Sequence, residues 1–567
     1  MEFVKAHKEG MIIGIVVIWI IITRFLPISF GDLYNDGAIN SFRAFGWLDY
    51  FGTSGQTTPL QWFGNIPNWS TLSFHDAPPL AFLIQKIFFV ILGGGGTVVA
   101  RLPFIIAGIG SIWLLYYLLK QLTNRTIASI ATITLTVSSY AVWVGQAVYL
   151  EGIEEFFIVG SVLFGAYFMF KERNKKYIYI WAIFLSCALL TKYTAIFLIP
   201  PIILYAFLYR KELRDKWKNI AIAFVLFITL LSPIIIYNLN LYQNRGHFDA
   251  AISSMVGIHS EDFSIISERS LHYNIFSNTI NIIKTLGENM SYPLLILALG
   301  CFILLIFRIR KLGFKSFESW ILINTSFLIL ILGFAGGTVR FLSIMVPFIA
   351  ITIGLGVYYS YISINSYGLK KIFLAIIAGI ILFELFYSIN TNVLKTPVTT
   401  SNWLYSENKV NSLGFNELDN FIRKEIIIKL PERNIIKTKE DLVFGNDDVN
   451  GRSVVIFDDR INWFAQMWYF QRYFIYYRWP VISTAFLSTA NKDIINIEDL
   501  MKVSGEPLYF IYPIDNQVMD SIRANDIEIN QLGHTIAERF DKISDEITII
   551  KNKNNIPVFK VYRIDHL

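Results

Sequence analysis

Eleven apolar segments separated by polar connections fill most of the chain's first 390 residues: 10–29, 97–119, 126–145, 150–170, 177–194, 195–209, 218–238, 290–308, 317–335, 340–362 and 371–390. A helix needs roughly 20 apolar residues to cross the hydrocarbon core of a bilayer, so these runs are read as spanning helices. Basic residues sort with the pattern. Lys5 and Lys8 precede the first run, Lys120 and Arg125 follow the second, Lys171, Arg173, Lys175 and Lys176 follow the fourth, and Arg210, Lys211, Arg214, Lys216 and Lys218 follow the sixth. Arg308, Arg310, Lys311 and Lys315 follow the eighth, and Lys370 and Lys371 follow the tenth. With the N-terminus inside and eleven spans, every cluster falls on the cytoplasmic side, as the positive-inside rule requires.

One segment tests that count. Residues 79–92 (PLAFLIQKIFFVIL) are apolar but short, with Gln85 and Lys86 mid-way. Counted as a span, the segment would send every later basic cluster outside, so it is read as an interfacial helix on the outer surface. A short tilted span is the alternative. After residue 390 the pattern changes. SVVIFDD (453–459), PLYFIYPI (507–514), EITIIKN (546–552) and PVFKVYRI (557–564) read as strands between polar stretches. The expected architecture is an all-α polytopic membrane domain of about eleven helices over residues 1–390, with large outer loops at 30–96 and 239–289. An extracytoplasmic soluble α/β domain follows over 391–567.

Composition agrees. Charged residues make up 16% and hydrophobic residues 54%, whereas soluble domains carry about a quarter charged. The net charge of +6 resides mainly in short loops, which argues against nucleic acid as a partner. Cys187 and Cys301 lie inside apolar runs, so no disulfide framework is implied. The first run lacks a small-residue cleavage site and is read as a retained helix. Trp47, Trp62 and Trp69 in the first outer loop suit interfacial anchors among membrane lipids.

The residues that could carry chemistry fall on the outer side. Asp32 and Asp36, in GDLYNDGAIN just past the first helix, could take a proton from a hydroxyl or hold a cation, and Asp36 also fits a helix N-cap. His75 and Asp76 precede the Pro78–Pro79 pair and could share a divalent cation, the one cofactor these residues suggest; a polar turn explains them equally simply. Glu151, Glu154 and Glu155 open the fourth span. Acids at the edge of hydrocarbon are costly, although a helix N-terminus favours them. Arg101, Lys192 and Arg340 break the positive-inside pattern, which an anionic phosphate would explain and snorkelling to headgroups would explain otherwise. Gly93–Gly96 lacks the Lys-Ser/Thr of a phosphate loop and reads as a flexible turn.

The order of these features resembles the integral-membrane GT-C glycosyltransferases: Asp36 after the first helix, Pro78-Pro79-Leu80, Arg101-Leu102-Pro103, Glu151 after the third span, and Arg340-Phe341 opening a late one. Within that class the chain is similar to the lipid A aminoarabinose transferases and the protein O-mannosyltransferase-like bacterial enzymes, over roughly residues 10–390. The resemblance implies transfer of a sugar from a polyprenyl-phosphate donor to a lipid, glycan or protein acceptor. Transfer would occur on the outer face of the cytoplasmic membrane, by a single displacement that inverts the anomeric carbon. It implies Asp36 as general base or acceptor-orienting group, Glu151 placing a substrate sugar, Asp76 touching a metal and Arg340 gripping the donor phosphate. Tyr34 and Trp47 could stack on sugar faces. Three positions depart from the family pattern: Gly37 where Glu is common, Ala77 where Lys often contacts phosphate, and Phe341 where Tyr is usual. The missing Lys shifts phosphate binding towards Lys192 and Arg340. Other readings are a transporter or flippase of lipid-linked saccharides, for which no repeat between the halves is visible, and a surface-polysaccharide polymerase or ligase.

Overall fold

The computed structural model describes residues 14–46, 77–258, 275–394, 412–432, 450–485 and 497–565, apart from residues 15, 30, 34, 336–337, 429, 521–524 and 526. In chain order the helices are α1 (Val16–Ser29), α2 (Asp36–Gly46), α3 (Leu80–Leu92), α4 (Thr97–Leu122), α5 (Arg125–Val137), α6 (Ser139–Val144), α7 (Leu150–Lys171), α8 (Lys175–Thr191), α9 (Tyr193–Leu208), α10 (Trp217–Arg245) and α11 (Ala250–Val256). They continue with α12 (Ile275–Asn289), α13 (Tyr292–Leu312), α14 (Phe317–Ala335), α15 (Val339–Ser363) and α16 (Tyr367–Leu394). The protein is a mostly helical, multi-pass membrane protein.

Among the described residues seven helices are long and apolar enough to cross a membrane. The described residues of the expected segments are mostly helical, but the count of eleven spans is not confirmed, because among the described residues several helices are short or broken. The segment expected at 126–145 breaks at Ser138, whose ψ of 123° ends α5 before α6 begins. The boundary expected between 177–194 and 195–209 falls at Lys192, whose backbone is extended (φ −161°, ψ 142°). The helices also differ in enclosure. In α15, 89% of the apolar window is buried, against 17% in α10 and in α16. α15 therefore forms the centre, packed against α5 and α13, while α10 and α16 turn apolar side chains outward, as lipid-facing helices do.

The C-terminal region carries α17 (Phe415–Phe421), β1 (Val454–Phe457), α18 (463–477), β2 (Val481–Ser483), α19 (Ile497–Ser504), β3 (Leu508–Pro513), α20 (Ile527–Ile543), β4 (Glu546–Lys551) and β5 (Pro557–Ile564). The sheet order is β2-β1-β3-β5-β4, parallel across the first three strands and antiparallel across the rest. Four strands match those expected; β2, only three residues long, is too brief to show an alternating pattern.

One apolar core runs through α2, α3, the start of α4, α17, α18 and the sheet. The described residues of the 30–96 segment and of the C-terminal region thus pack on one another. Gln85, polar in the middle of α3, donates from Nε2 to Ser41 Oγ (3.1 Å) and to the Ala100 carbonyl (3.0 Å), tying α3 to α2 and α4. The four-glycine turn is a docking point rather than a loose hinge. Arg472 Nη1 donates to the Gly95 carbonyl at 2.6 Å, and a Cβ on Gly95 would lie 3.1 Å from Phe45 and 3.3 Å from Arg472.

Candidate active site

Four charged residues from four separate segments meet. Asp36 is the first residue of α2, Glu151 lies in the first turn of α7, Lys192 is the break between α8 and α9, and Arg340 opens α15. Arg340 Nη1 pairs with Asp36 Oδ2, and Lys192 Nζ pairs with Glu151 Oε1. Arg340 Nε lies 3.9 Å from Glu151 Oε1. The charges therefore alternate along a chain: Asp36, Arg340, Glu151, Lys192. Phe341 lies against both cations, its ring centroid 3.7 Å from Lys192 Nζ and 5.2 Å from Arg340 Cζ. That geometry suits cation–π attraction and shields one side of the cations from water.

Local backbone explains the convergence. Asn35, immediately before Asp36, is left-handed (φ 50°), a conformation Asn tolerates, and it turns the chain sharply into α2. Asn40 Nδ2 donates to the Val148 carbonyl at 3.0 Å, and a Cβ on Gly37 would touch Val148 at 3.5 Å, so the first turn of α2 lies against the segment leading into Glu151. Lys192 terminates α8, which packs along α7. Tyr140 of α6 donates its hydroxyl to the Val339 carbonyl, holding the backbone next to Arg340.

The other expected residues lie elsewhere. Asp32 is buried and accepts backbone N–H groups from Leu413 (2.6 Å), Gly414 (3.1 Å) and Asn416 (2.7 Å). Burial pushes its carboxyl up to about 6 despite those donors. Arg101 donates to the carbonyls of Ile28 (2.9 Å), Gly31 (3.1 Å) and Asp32 (3.2 Å). Both groups are engaged with backbone of the first outer loop and C-terminal region. Glu154 accepts from the Thr194 hydroxyl. Glu155 faces Arg24 electrostatically, deep among α1, α4 and α7. His75 and Asp76 lie outside the described residues, as do Tyr34, Trp47, Trp62 and Trp69. Among the described residues no three His, Cys, Asp or Glu side chains group as a metal site.

Three residues escaped the sequence reading. Arg24 donates to the Ala141 carbonyl at 3.4 Å and packs against Gly145. Tyr140 has the role just described. Glu384 of α16 accepts the backbone N–H groups of Ser139 (2.7 Å) and Ser291 (2.8 Å), satisfying the starts of α6 and α13. A lone charge inside an apolar run was the available signal for Arg24 and Glu384.

The fold is similar to those of ArnT and an archaeal oligosaccharyltransferase, and part of the chain matches one family model. Residues 76–237 match the family model described as dolichyl-phosphate-mannose-protein mannosyltransferase. ArnT from Cupriavidus metallidurans, in the form bound to undecaprenyl phosphate, superposes with a TM-score of 0.54 at 12% identity, covering 98% of each chain. The Archaeoglobus fulgidus oligosaccharyltransferase tethered to an acceptor peptide gives 0.52 at 13% identity, over 91% of this chain and 70% of that one. A putative mannosyltransferase, YkcB of Bacillus subtilis (strain 168), is 27% identical over 234 residues, 39% of this chain. The match spans about a third of that relative's own length (31%).

Proposed function

We propose that this protein is a glycosyltransferase that moves a sugar from a polyprenyl-phosphate donor to an acceptor hydroxyl on the outer face of the cytoplasmic membrane. The alternating cluster of Asp36, Arg340, Glu151 and Lys192 carries the reading. It joins a carboxylate able to take a proton with two cations able to hold a phosphate, at the ends of spanning helices where lipid and water meet. The likeness to ArnT, whose undecaprenyl-phosphate complex shares the fold, supports a donor of that class.

In the proposed reaction Asp36 accepts the acceptor's hydroxyl proton as its oxygen bonds to the anomeric carbon from the face opposite the phosphate. The bond from that carbon to the phosphate oxygen breaks, and the polyprenyl phosphate leaves with its charge met by Arg340 and Lys192. One displacement inverts the carbon. Glu151 sets the spacing of the two cations and can accept a sugar hydroxyl.

The ion pairs also give the reaction an order. Asp36 is paired with Arg340, which occupies the carboxylate that the reaction needs free. A phosphate that takes Arg340 releases Asp36 beside the incoming acceptor. Replacing Asp36 by Asn in membranes supplied with lipid-linked sugar is the decisive experiment. Transfer should collapse while polyprenyl phosphate binds at least as tightly as to the parent, because the competing carboxylate is gone. Transfer near the parent rate would remove Asp36 as base.

A further inference from the structure

Among the described residues the C-terminal region places no side chain in the four-charge cluster, yet it grips the segment that presents Asp36. We infer that Asp32, Tyr469 and Tyr476 are positioning residues through which the C-terminal region holds α2, and with it Asp36, in register with Arg340 and Glu151. The inference rests on the reading of Asp36 as the base.

α2 is short, and its two ends have different hosts. Its first turn lies on the membrane helices through Asn40 and Gly37, as described. Its last turn lies on α18: the Tyr476 hydroxyl donates to the Phe42 carbonyl at 2.9 Å, its ring is 4.8 Å from that of Phe42, and Phe45 meets Trp468 edge-on at 5.8 Å. A Cβ on Gly46 would overlap the Tyr476 ring, so the close approach requires glycine there.

The segment leading into α2 is held as tightly. The Gly31 carbonyl accepts from Asn416 Nδ2 at 3.1 Å, Asp32 accepts three N–H groups around Asn416, and Leu33 N donates to the Tyr469 hydroxyl at 2.9 Å. That hydroxyl donates in turn to Asn416 Oδ1 at 3.0 Å. Three consecutive residues, 31 to 33, are thereby fixed to the C-terminal region, a few residues ahead of the base. A region serving only to cover the site or recruit a partner has no need of such bonds around one catalytic helix. A mount does, because a displacement of about 1 Å at a reacting group costs on the order of a hundredfold in rate.

The test uses the full chain in membranes or detergent. Asp32→Asn, Tyr469→Phe and Tyr476→Phe are assayed for kcat, for KM of the lipid-linked donor and for binding of undecaprenyl phosphate. The expected result is a fall in kcat of about ten- to a hundredfold for Asp32→Asn and a smaller fall for the two phenylalanines. Donor KM and undecaprenyl phosphate binding stay unchanged. Parental kcat per folded molecule would overturn the inference. Should Asp32→Asn fail to fold, Tyr476→Phe, which deletes one hydroxyl, still decides. If Asp36→Asn itself transfers sugar normally, the base assignment fails; if Asp36→Asn is inactive while these three behave as the parent, only the mount fails.

Discussion

Two carboxylates four residues apart, Asp32 and Asp36, have opposite surroundings. Asp32 is enclosed, and its partners are backbone N–H groups of the C-terminal region. Asp36 is half-buried, and its partner is a single side-chain cation, Arg340. Backbone donors belong to a packed helix start and cannot leave without local unfolding. A guanidinium on a flexible stem can exchange one anion for another at little cost. The first carboxylate is built to stay and the second to be released, although sequence alone gives both the same Asp within one polar decapeptide.

The sharpest way to break that contrast is at Asp36. Asp36→Asn should lower the transfer rate by about 10²- to 10⁴-fold, the usual weight of a general base, measured as sugar transferred from lipid-linked donor. Arg340→Ala comes next. Loss of a charged hydrogen-bonding group, about 1.5–3 kcal/mol, should raise donor KM by about ten- to a hundredfold and leave acceptor KM unchanged. If acceptor and donor dependence moved together, the assignment of Arg340 to phosphate would be wrong.

Glu384 sharpens the comparison from within the membrane, since it too accepts backbone N–H groups, those of Ser139 and Ser291. Glu384→Ala strands two buried donors and should cost about 2–4 kcal/mol of stability, read as a lowered midpoint of thermal unfolding in detergent. Glu384→Gln, which keeps one oxygen acceptor, should cost less. Transfer per folded molecule should be nearly parental in both, because Glu384 touches only helix starts.

Much of the fold was legible because hydrocarbon enforces it: the described residues of the expected apolar segments are mostly helical, and four of five strands stand in the apolar runs that polar stretches set apart. The count of spans was not legible. The break at Ser138, inside the run 126–145, is set by tertiary packing that no run of apolar residues announces. In the site, Asp36, Glu151, Lys192 and Arg340 could be found because charge at the end of an apolar helix needs a reason. Asp32 and Arg101 satisfied the same criterion for a different reason, the docking of a distant region onto the first loop. Hydrogen bonds to backbone carry no side-chain signature, so the sequence could not separate anchor from reactive group. Arg24 and Glu384 were overlooked for the converse reason: each was absorbed into a run judged by its average hydropathy.

The smallest expected effect tests the anchor by its titration. Burial holds the Asp32 carboxyl at about 6, above its ordinary 3.8. A carboxyl whose folded value is raised binds its proton more tightly folded than unfolded. Its contribution is fully present below the unfolded value and is lost as pH rises through about 6. From pH 7 to pH 5 the gain from this one group is about 1 kcal/mol. Other acids titrate over the same range, so the useful quantity is the difference in unfolding midpoint between the parent and Asp32→Asn at each pH, in which their contributions cancel. That difference should move in the parent's favour on acidification and level off between pH 7 and pH 8. A difference that stayed constant from pH 5 to pH 8 would mean that burial does not raise the Asp32 carboxyl, the three backbone donors around Asn416 holding its ionised form as firmly as water does.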